Sequence, residues 1–198
     1  MRSFKCECGR EIPDDLVIRL LKENIILACS NCDKKLSRAT LLDAGLHCPT
    51  CDAHLKRYHR PLNAGMARSL FGLWSLTYHR PDEEWWHHSQ FDVGREVHKL
   101  KWWGLVEQKP SDGNGDKKAS GNWRITEAGK QFAAGYTKIP STVVVYRNKP
   151  EGLEGGQITI RDALSTKFNY GQLMTAHETK KLEPTTGKKA KKPRPVAK

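Results

Sequence analysis

The chain has 198 residues and a formal net charge of +12. No stretch of it approaches the roughly 18 consecutive apolar residues that a membrane-spanning helix needs. It contains no Walker loop, no Gly-x-Ser-x-Gly elbow and no His-Glu-x-x-His motif. These features predict a soluble, cytoplasmic protein without catalytic activity, long enough for one ordinary domain and one small module.

The positive charge is concentrated at the C-terminus. Net charge is +3 over residues 1–61, +1 over 62–135, +1 over 136–179 and +7 over 180–198. Because the last segment is rich in Lys, Pro, Thr and Ala and has little to bury, we predict a disordered basic tail over 176–198. Such a tail either contacts phosphates nonspecifically or only keeps the protein soluble.

The cysteines form close pairs near the N-terminus: Cys6 and Cys8, Cys29 and Cys32, Cys48 and Cys51. The last two pairs are Cys-x-x-Cys knuckles separated by 15 residues. That interval is expected of a four-thiolate structural zinc site in a ribbon or treble-clef module. In this partition the first pair is half of a second site, completed by two of His47, His54 and His59.

A second partition of the same residues is equally compatible with the spacing. In it, one zinc ion is held by Cys6, Cys8, Cys29 and Cys32, and another by Cys48, Cys51, His54 and His59. The predicted cofactor is therefore one zinc ion, or two if both sites form. Disulfides or a redox pair are the alternatives. Disulfides are disfavoured because charged residues interrupt the apolar segment 16–27 and no signal-peptide cleavage site follows it.

Long amphipathic segments begin at Leu62 and predict three helices. Asn63 is a candidate N-cap for a first helix that ends near residue 80. Asp82 is a candidate cap for a short second helix through Trp85 and Trp86. The third helix is predicted over 92–103, with Val93, Val97 and Leu100 facing inward and Gly104 ending it.

The segment after the third helix has the pattern of a strand, a loop, a strand and a helix. Strands are predicted at 105–107 and 123–125, and a flexible wing at 108–122, which is rich in glycine. Thr126 is a candidate cap for a helix over 127–134. This element order is that of a winged helix-turn-helix domain, whose third helix enters the major groove of DNA.

The predicted third helix and wing carry the candidate DNA contacts. Arg95 and Lys99 are expected at base edges, and phosphates are expected at Lys101, Lys109, Lys117 and Lys118. A DNA-binding surface usually concentrates positive charge, whereas residues 62–135 carry a net charge of only +1. Use of the same scaffold for binding a protein partner is therefore the alternative.

A short β-rich segment is predicted beyond the winged helix. Gly152 to Gly156 is interpreted as a turn before a strand at 157–160, which pairs with a strand at 142–146. A helix is predicted to follow over 161–167.

Two segments of this region resemble known proteins. The sequences HKLKWWGLVE (98–107) and WRITEAGK (123–130) resemble the L-x-x-x-G-L-V-E and W-R-I-T-x-x-G ends of MarR-like winged helices. They resemble still more closely a family of uncharacterised bacterial and phage proteins, in which a zinc-knuckle N-terminus precedes such a domain. Segments 136–146, 159–164 and 168–170 also resemble that family. The resemblance spans about 62–172 and implies the fold, but no assigned activity.

Together these observations predict an α+β protein. A zinc-knuckle module, ribbon-like or treble-clef-like, is expected over 1–58, and a winged helix-turn-helix domain over 62–136. A small β-rich extension over 137–175 and the basic tail follow. The predicted function is non-catalytic DNA binding in transcriptional or phage-related regulation. The alternative is an adaptor that binds a polymerase or host factor.

Overall fold

The computed structural model describes residues 4–23, 25–92, 94–110 and 121–180. These residues have a mixed α+β architecture, which confirms the predicted class, and they form two compact units. The first unit combines Met1–Leu62 with Lys138–Ile158, and the second combines Asn63–Thr137 with Thr159–Lys198. The segment 137–175, predicted as one extension, is thus divided between the two units.

Short antiparallel hairpins and helices alternate in the N-terminal part of the first unit. The first hairpin pairs β1 (Phe4–Lys5) with β2 (Glu11–Ile12), and α1 (Asp14–Glu23) follows it. Next come β3 (Ile26–Ala28), β4 (Lys35–Ser37), α2 (Arg38–Ala44), β5 (Leu46–His47) and β6 (His54–Leu55), with β3 paired to β4 and β5 to β6.

The two helices supply the centre of this core. Leu20 of α1 and Leu41 and Leu42 of α2 are fully buried. The Ser37 side chain accepts a hydrogen bond from the Thr40 amide and so begins α2. Cys6 and Cys29, from the first two hairpins, belong to the same buried cluster as these leucines, so the two hairpins pack on one core.

The chain then continues through β7 (Tyr58–Pro61) into the second unit, which begins with α3 (Ala64–His79). The Asn63 side chain accepts a hydrogen bond from the Met66 amide at 2.9 Å, so the predicted cap and helix are confirmed. Leu70 and Leu73 lie on the buried face of α3.

The predicted second helix is wrong, because residues 86–87 form strand β8 (Trp86–His87), followed by a 3-10 turn at His88–Gln90. Trp86 is fully buried and pairs with Trp123 in the neighbouring strand. Aromatic side chains favour strand positions, and burial of the Trp86 ring outweighs the capping signal of Asp82.

The third helix is shorter than predicted. It consists of α4 (Val97–Leu100) and a 3-10 turn at Lys101–Trp103, ended by Gly104 in the left-handed conformation. The carboxylate of Asp92 accepts hydrogen bonds from the amides of Glu96 and Val97 at 3.2 Å each. Arg95 has a φ of +56°, which is incompatible with a helix. The residues before Val97 therefore form a loop.

A small sheet completes the body of the second unit. Strands β9 (Val106–Gln108) and β10 (Asn122–Ile125) are antiparallel, and the sheet order is β8–β10–β9. Thr126 accepts a hydrogen bond from the Gly129 amide at 3.0 Å and caps α5 (Glu127–Ala133). Both strands and the capped helix were predicted within one residue of these bounds.

A long hairpin returns the chain to the first unit. It pairs β11 (Ile139–Tyr146) with β12 (Lys149–Ile158), and β11 also pairs with β7, giving the order β12–β11–β7. The predicted pairing of 157–160 with 142–146 is wrong: residues 142–146 lie opposite 149–154, whereas Gln157 and Ile158 lie opposite Pro140 and Ile139. The turn predicted at 152–156 lies within β12. The turn is formed by Arg147 and Asn148, whose φ values of +48° and +61° suit a tight two-residue hairpin connection.

Two helices end the described part of the second unit. They are α6 (Ile160–Leu164), shorter than the predicted 161–167, and α7 (Tyr170–Lys180). Residues 176–180 were predicted as part of a disordered tail but belong to α7, and the rest of that tail lies outside the described residues. No helix in the described ranges combines the length and apolarity needed to cross a membrane.

Candidate metal centre

Four cysteines from two hairpins converge in the first unit. The ligand atoms of Cys6, Cys8, Cys29 and Cys32 all lie within 4.8 Å of one another. The Sγ–Sγ distance is 3.7 Å between Cys6 and Cys32 and 3.8 Å between Cys8 and Cys29, far beyond the roughly 2.05 Å of a disulfide. Four sulfurs about 2.3 Å from a tetrahedral metal ion lie about 3.8 Å apart. The cluster therefore has the dimensions of a tetrathiolate metal site.

The turn between β3 and β4 positions Cys29 and Cys32. The Cys29 amide donates to the Lys34 carbonyl at 2.9 Å, and the Asp33 amide donates to the Cys29 carbonyl at 2.7 Å. Asp33 has a φ of +55°, a conformation that Asp adopts more readily than most residues. This tight reversal directs both sulfurs of the Cys-x-x-Cys pair to the same side.

The turn between β1 and β2 positions the other two thiols. The Cys6 amide donates to the Arg10 carbonyl, and the Gly9 amide donates to the Cys6 carbonyl, both at 2.8 Å. Gly9 has a φ of +86°, which favours glycine at this point of the turn. One cysteine of each pair, Cys6 and Cys29, is buried, and the others are exposed. The site therefore lies at the edge of the module.

Hydrogen bonds from the surrounding turns favour thiolates at two of the positions. The Asn31 side chain, followed by the Arg10 amide, lowers the pKa of Cys8 to about 6. The Asn31 amide is the main cause of the lowered pKa of Cys29. For Cys32 the Lys34 amide lowers the pKa, but desolvation and the neighbouring thiols together raise it to about 12. A bound cation would relieve this crowding of negative charge.

Two contacts tie the turns together, and sequence reasoning missed both. Asn31 contributes its amide to Cys29 and its side chain to Cys8, so it bridges the two hairpins. Lys34 forms an ion pair with Glu7 across the same two turns. Their positions in the sequence could have identified Asn31 and Glu7, because each lies between the two cysteines of a pair.

The structure realises the second of the two predicted partitions for the first site. Cys48 and Cys51 lie outside the cluster, so within the described chain Cys29 and Cys32 do not share a site with them. His59, a predicted ligand in both partitions, has other partners. Its Nδ1 contacts Glu154, and its Nε2 lies 2.9 Å from Asp43 Oδ1.

The predicted DNA contacts are not gathered on one helix face. Arg95 is exposed but lies in the loop before α4, so the prediction that it shares the third helix with Lys99 is wrong. Lys99 is half-buried and ion-paired with Glu96, and it lowers the pKa of that carboxyl group.

The remaining predicted contacts are partly described. Lys101 is exposed in the 3-10 turn that continues α4, and Lys109 is half-exposed just after β9. His98 is exposed beside them and was not predicted. Lys117 and Lys118 lie outside the described residues.

Comparison of the chain with models of protein families, with curated proteins and with solved structures found no match.

Proposed function

We propose that this is a non-catalytic DNA-binding protein in which a zinc-stabilised module accompanies a winged helix-turn-helix domain. The observation that carries the proposal is the topology of the second unit. A long helix α3, strand β8, a 3-10 turn, α4, strand β9 and strand β10 follow in this order, and β10 lies between β8 and β9 in the sheet. This order is typical of winged helices, in which the helix between the first two strands binds the major groove.

The metal assigned to the cysteine cluster is Zn²⁺. Four thiolates in a tetrahedral arrangement favour zinc or an iron–sulfur centre among the biological metals. Two short turns at β-hairpins are the usual framework of structural zinc. A shell of four protein ligands leaves no open position for a substrate, so the metal contributes folding energy and not catalysis.

The proposed DNA-contact surface consists of the loop before α4, the exposed side of α4 and the turn after it. Val97, Leu100 and Trp103 are buried and attach this helical segment to the core. Arg95, His98 and Lys101 are exposed around it. We assign Arg95 and Lys101 to base edges and neighbouring phosphates, and Lys109 to the backbone beside the wing.

A charge-matched pair of double variants tests this assignment. Arg95→Ala with Lys101→Ala removes two cations from the proposed surface, and Lys130→Ala with Lys167→Ala removes two exposed cations elsewhere in the same unit. Affinity for a selected duplex and for a scrambled duplex is measured at fixed salt. Each lost base contact should cost roughly 1 to 3 kcal/mol and relax sequence preference, whereas the control should change both affinities little.

Equal losses in the two double variants would contradict the assigned surface. Equal affinity of the wild-type protein for both duplexes would contradict sequence-dependent binding. The melting temperature of each variant shows whether the fold is retained.

A protein-binding adaptor is the second candidate, and the charge pattern of the second unit favours it. Among the described residues of this unit, four cations have carboxylate partners: Lys99 contacts Glu96, Arg124 contacts Glu84 and Glu107, Arg80 contacts Glu83, and Lys130 contacts Glu127. DNA affinity falls steeply with salt, by about 0.9 in the log–log slope for each phosphate contact. A largely apolar contact with a protein partner should be almost independent of salt, and that result would favour the adaptor. The regulatory, phage-related role and the cytoplasmic location rest on the resemblance and composition alone.

A further inference from the structure

The third cysteine pair lies in a turn that repeats the geometry of the second. The Cys48 amide donates to the Ala53 carbonyl and the Asp52 amide donates to the Cys48 carbonyl, both at 2.9 Å. Likewise, the Cys29 amide donates to the Lys34 carbonyl, and the Asp33 amide donates to the Cys29 carbonyl. Asp52 has a φ of +56° and Asp33 has one of +55°. The hairpin β5–β6 thus presents a second metal-binding knuckle of the same form.

The hydrogen bonding at the sulfur is also repeated. The amide two residues beyond the first cysteine donates to its sulfur in both turns, from Asn31 to Cys29 and from Thr50 to Cys48. Cys48 is half-buried and Cys51 is exposed, and neither forms a disulfide. The pair is therefore preorganised as two of the four ligands of a thiolate site.

No third ligand completes this knuckle within the described residues. Nδ1 of His47 lies 3.0 Å from the Asp52 carbonyl oxygen. Nε2 of His54 lies beside Gly45, 3.4 Å from the position that a Cβ atom would take there. His59 is held between Asp43 and Glu154.

All the other cysteines of this sequence already belong to the four-cysteine cluster. The chain has six cysteines, and the other four belong to the cluster described above. A second copy of the chain can supply two further thiolates to this knuckle. A metal ion on a twofold axis would take the same two residues from each of two copies, in the closed symmetry that most homodimers adopt.

We propose that Cys48 and Cys51 form half of an intermolecular zinc site, completed by the same two cysteines of a second copy of this chain. The residues of the turn are compact, namely Pro49, Thr50, Asp52 and Ala53, and Thr50, Asp52 and Ala53 are exposed. Two such turns can approach until their sulfurs reach the roughly 3.8 Å separation of a tetrahedral site. The inference rests on the proposed zinc at the four-cysteine cluster, which accounts for the other thiols.

The test uses the full chain, reduced, stripped of metal and titrated with Zn²⁺. Light scattering gives the molar mass, and elemental analysis gives the bound metal. The wild-type protein should become a dimer with about three zinc ions, two in the clusters and one between the copies. The double variant Cys48→Ser with Cys51→Ser should stay monomeric and bind about one ion per chain. The double variant His47→Ala with His54→Ala should behave as the wild type.

Three results would overturn the inference. They are a wild-type monomer with two ions per chain, a wild-type monomer with one ion per chain, and a dimer that survives the loss of both cysteines. A wild-type monomer with one ion leaves the proposed metal centre and DNA binding intact, so the two proposals fail separately. The bound metal of the double variant Cys6→Ser with Cys8→Ser tests the four-cysteine cluster separately, because this variant should lose the metal of that cluster.

Discussion

At the scale of single residues, His59 joins parts of the chain that are far apart in sequence. It lies in β7, its Nδ1 contacts Glu154 of β12, and its Nε2 contacts Asp43 of α2. Arg57 binds the same Asp43 through two hydrogen bonds of 2.7 and 2.6 Å. This group of charges connects the long hairpin to the cysteine-bearing module within one unit.

The contribution of His59 to stability should depend on pH. Hydrogen bonding to Glu154, and then to Asp43, raises the pKa of His59 above its ordinary value of 6.5. A raised folded-state pKa stabilises the fold fully below the unfolded-state pKa, and this stabilisation is lost as pH rises through the folded-state pKa. His59→Gln should therefore cost more stability near pH 6 than near pH 9.

The effect should be under about 1 kcal/mol, because the side chain is 41% exposed and solvent screens exposed ion pairs. Thermal unfolding of the wild type and the variant across this pH range measures it. His54→Gln, on an exposed position of β6, is the control. A difference between wild type and His59→Gln that stays constant with pH would refute the role of ionisation.

At the scale of secondary-structure elements, α5 packs unusually closely on the strands of the second unit. Gly129 in its first turn is buried, and a Cβ atom there would lie 2.1 Å from the Leu105 carbonyl oxygen and 2.8 Å from Ile125 Cγ1. The Thr126 side chain that caps α5 also donates to the Gly104 carbonyl at 2.7 Å. The helix is thereby attached to the segment that ends the proposed DNA-contact helix.

Gly129→Ala should destabilise the second unit. Alanine inside a helix normally stabilises it by about 0.5 to 1 kcal/mol over glycine, so the sign of the change is informative. Here the added methyl group meets backbone and must displace α5, which should cost about 1 to 3 kcal/mol.

All six tryptophans lie between residues 74 and 123, so their fluorescence during urea unfolding reports the second unit. Gly94→Ala in the same unit is the control, since the nearest atom to the added Cβ atom is Glu96 Cγ at 3.8 Å. A neutral or stabilising Gly129→Ala would show that α5 does not pack on Leu105 in this way.

At the scale of the whole molecule, the two units are interleaved along the chain. The first unit takes β11 and β12 from beyond residue 137, after the body of the second unit has been completed. The long hairpin therefore depends on the N-terminal module for a partner strand, β7. The stability of the cysteine-bearing module should extend to this distant segment.

Metal removal should unfold the first unit selectively. Cys6→Ser with Cys8→Ser and Cys29→Ser with Cys32→Ser should each abolish metal binding at the cluster, because structural zinc supplies on the order of 10 kcal/mol of folding free energy in zinc-finger peptides. Far-UV circular dichroism should show loss of structure, while the tryptophan-reported transition of the second unit changes little. Elemental analysis measures the metal.

The two cysteine variants should behave alike, since each removes half of one ligand set. Cys48→Ser with Cys51→Ser is the matched control and should retain the metal of the cluster. Full metal content in the variant that lacks Cys6 and Cys8 would mean that the cluster is not the binding site.

Sequence alone determined the features that depend on near neighbours. Asn63 and Thr126 begin their helices as predicted, because a capping side chain bonds an amide only three residues away. Gly104 ends the predicted third helix because only a few residues tolerate a left-handed conformation. The pairing of cysteines within each turn follows from the same local geometry.

Only the tertiary structure decided which turns meet and which side chains share a surface. The spacing of Cys29, Cys32, Cys48 and Cys51 suits one site, but the packing of α1 and α2 brings the first and second hairpins together instead. Burial of Trp86 turned a predicted helix into a strand, and the Asp92 carboxylate moved the start of α4 beyond Arg95. For the cysteines and for Trp86, a contact between residues distant in the chain outweighed a local preference, because buried apolar area contributes more free energy than helix propensity does. For Asp92, hydrogen bonds to two nearby amides had the same effect.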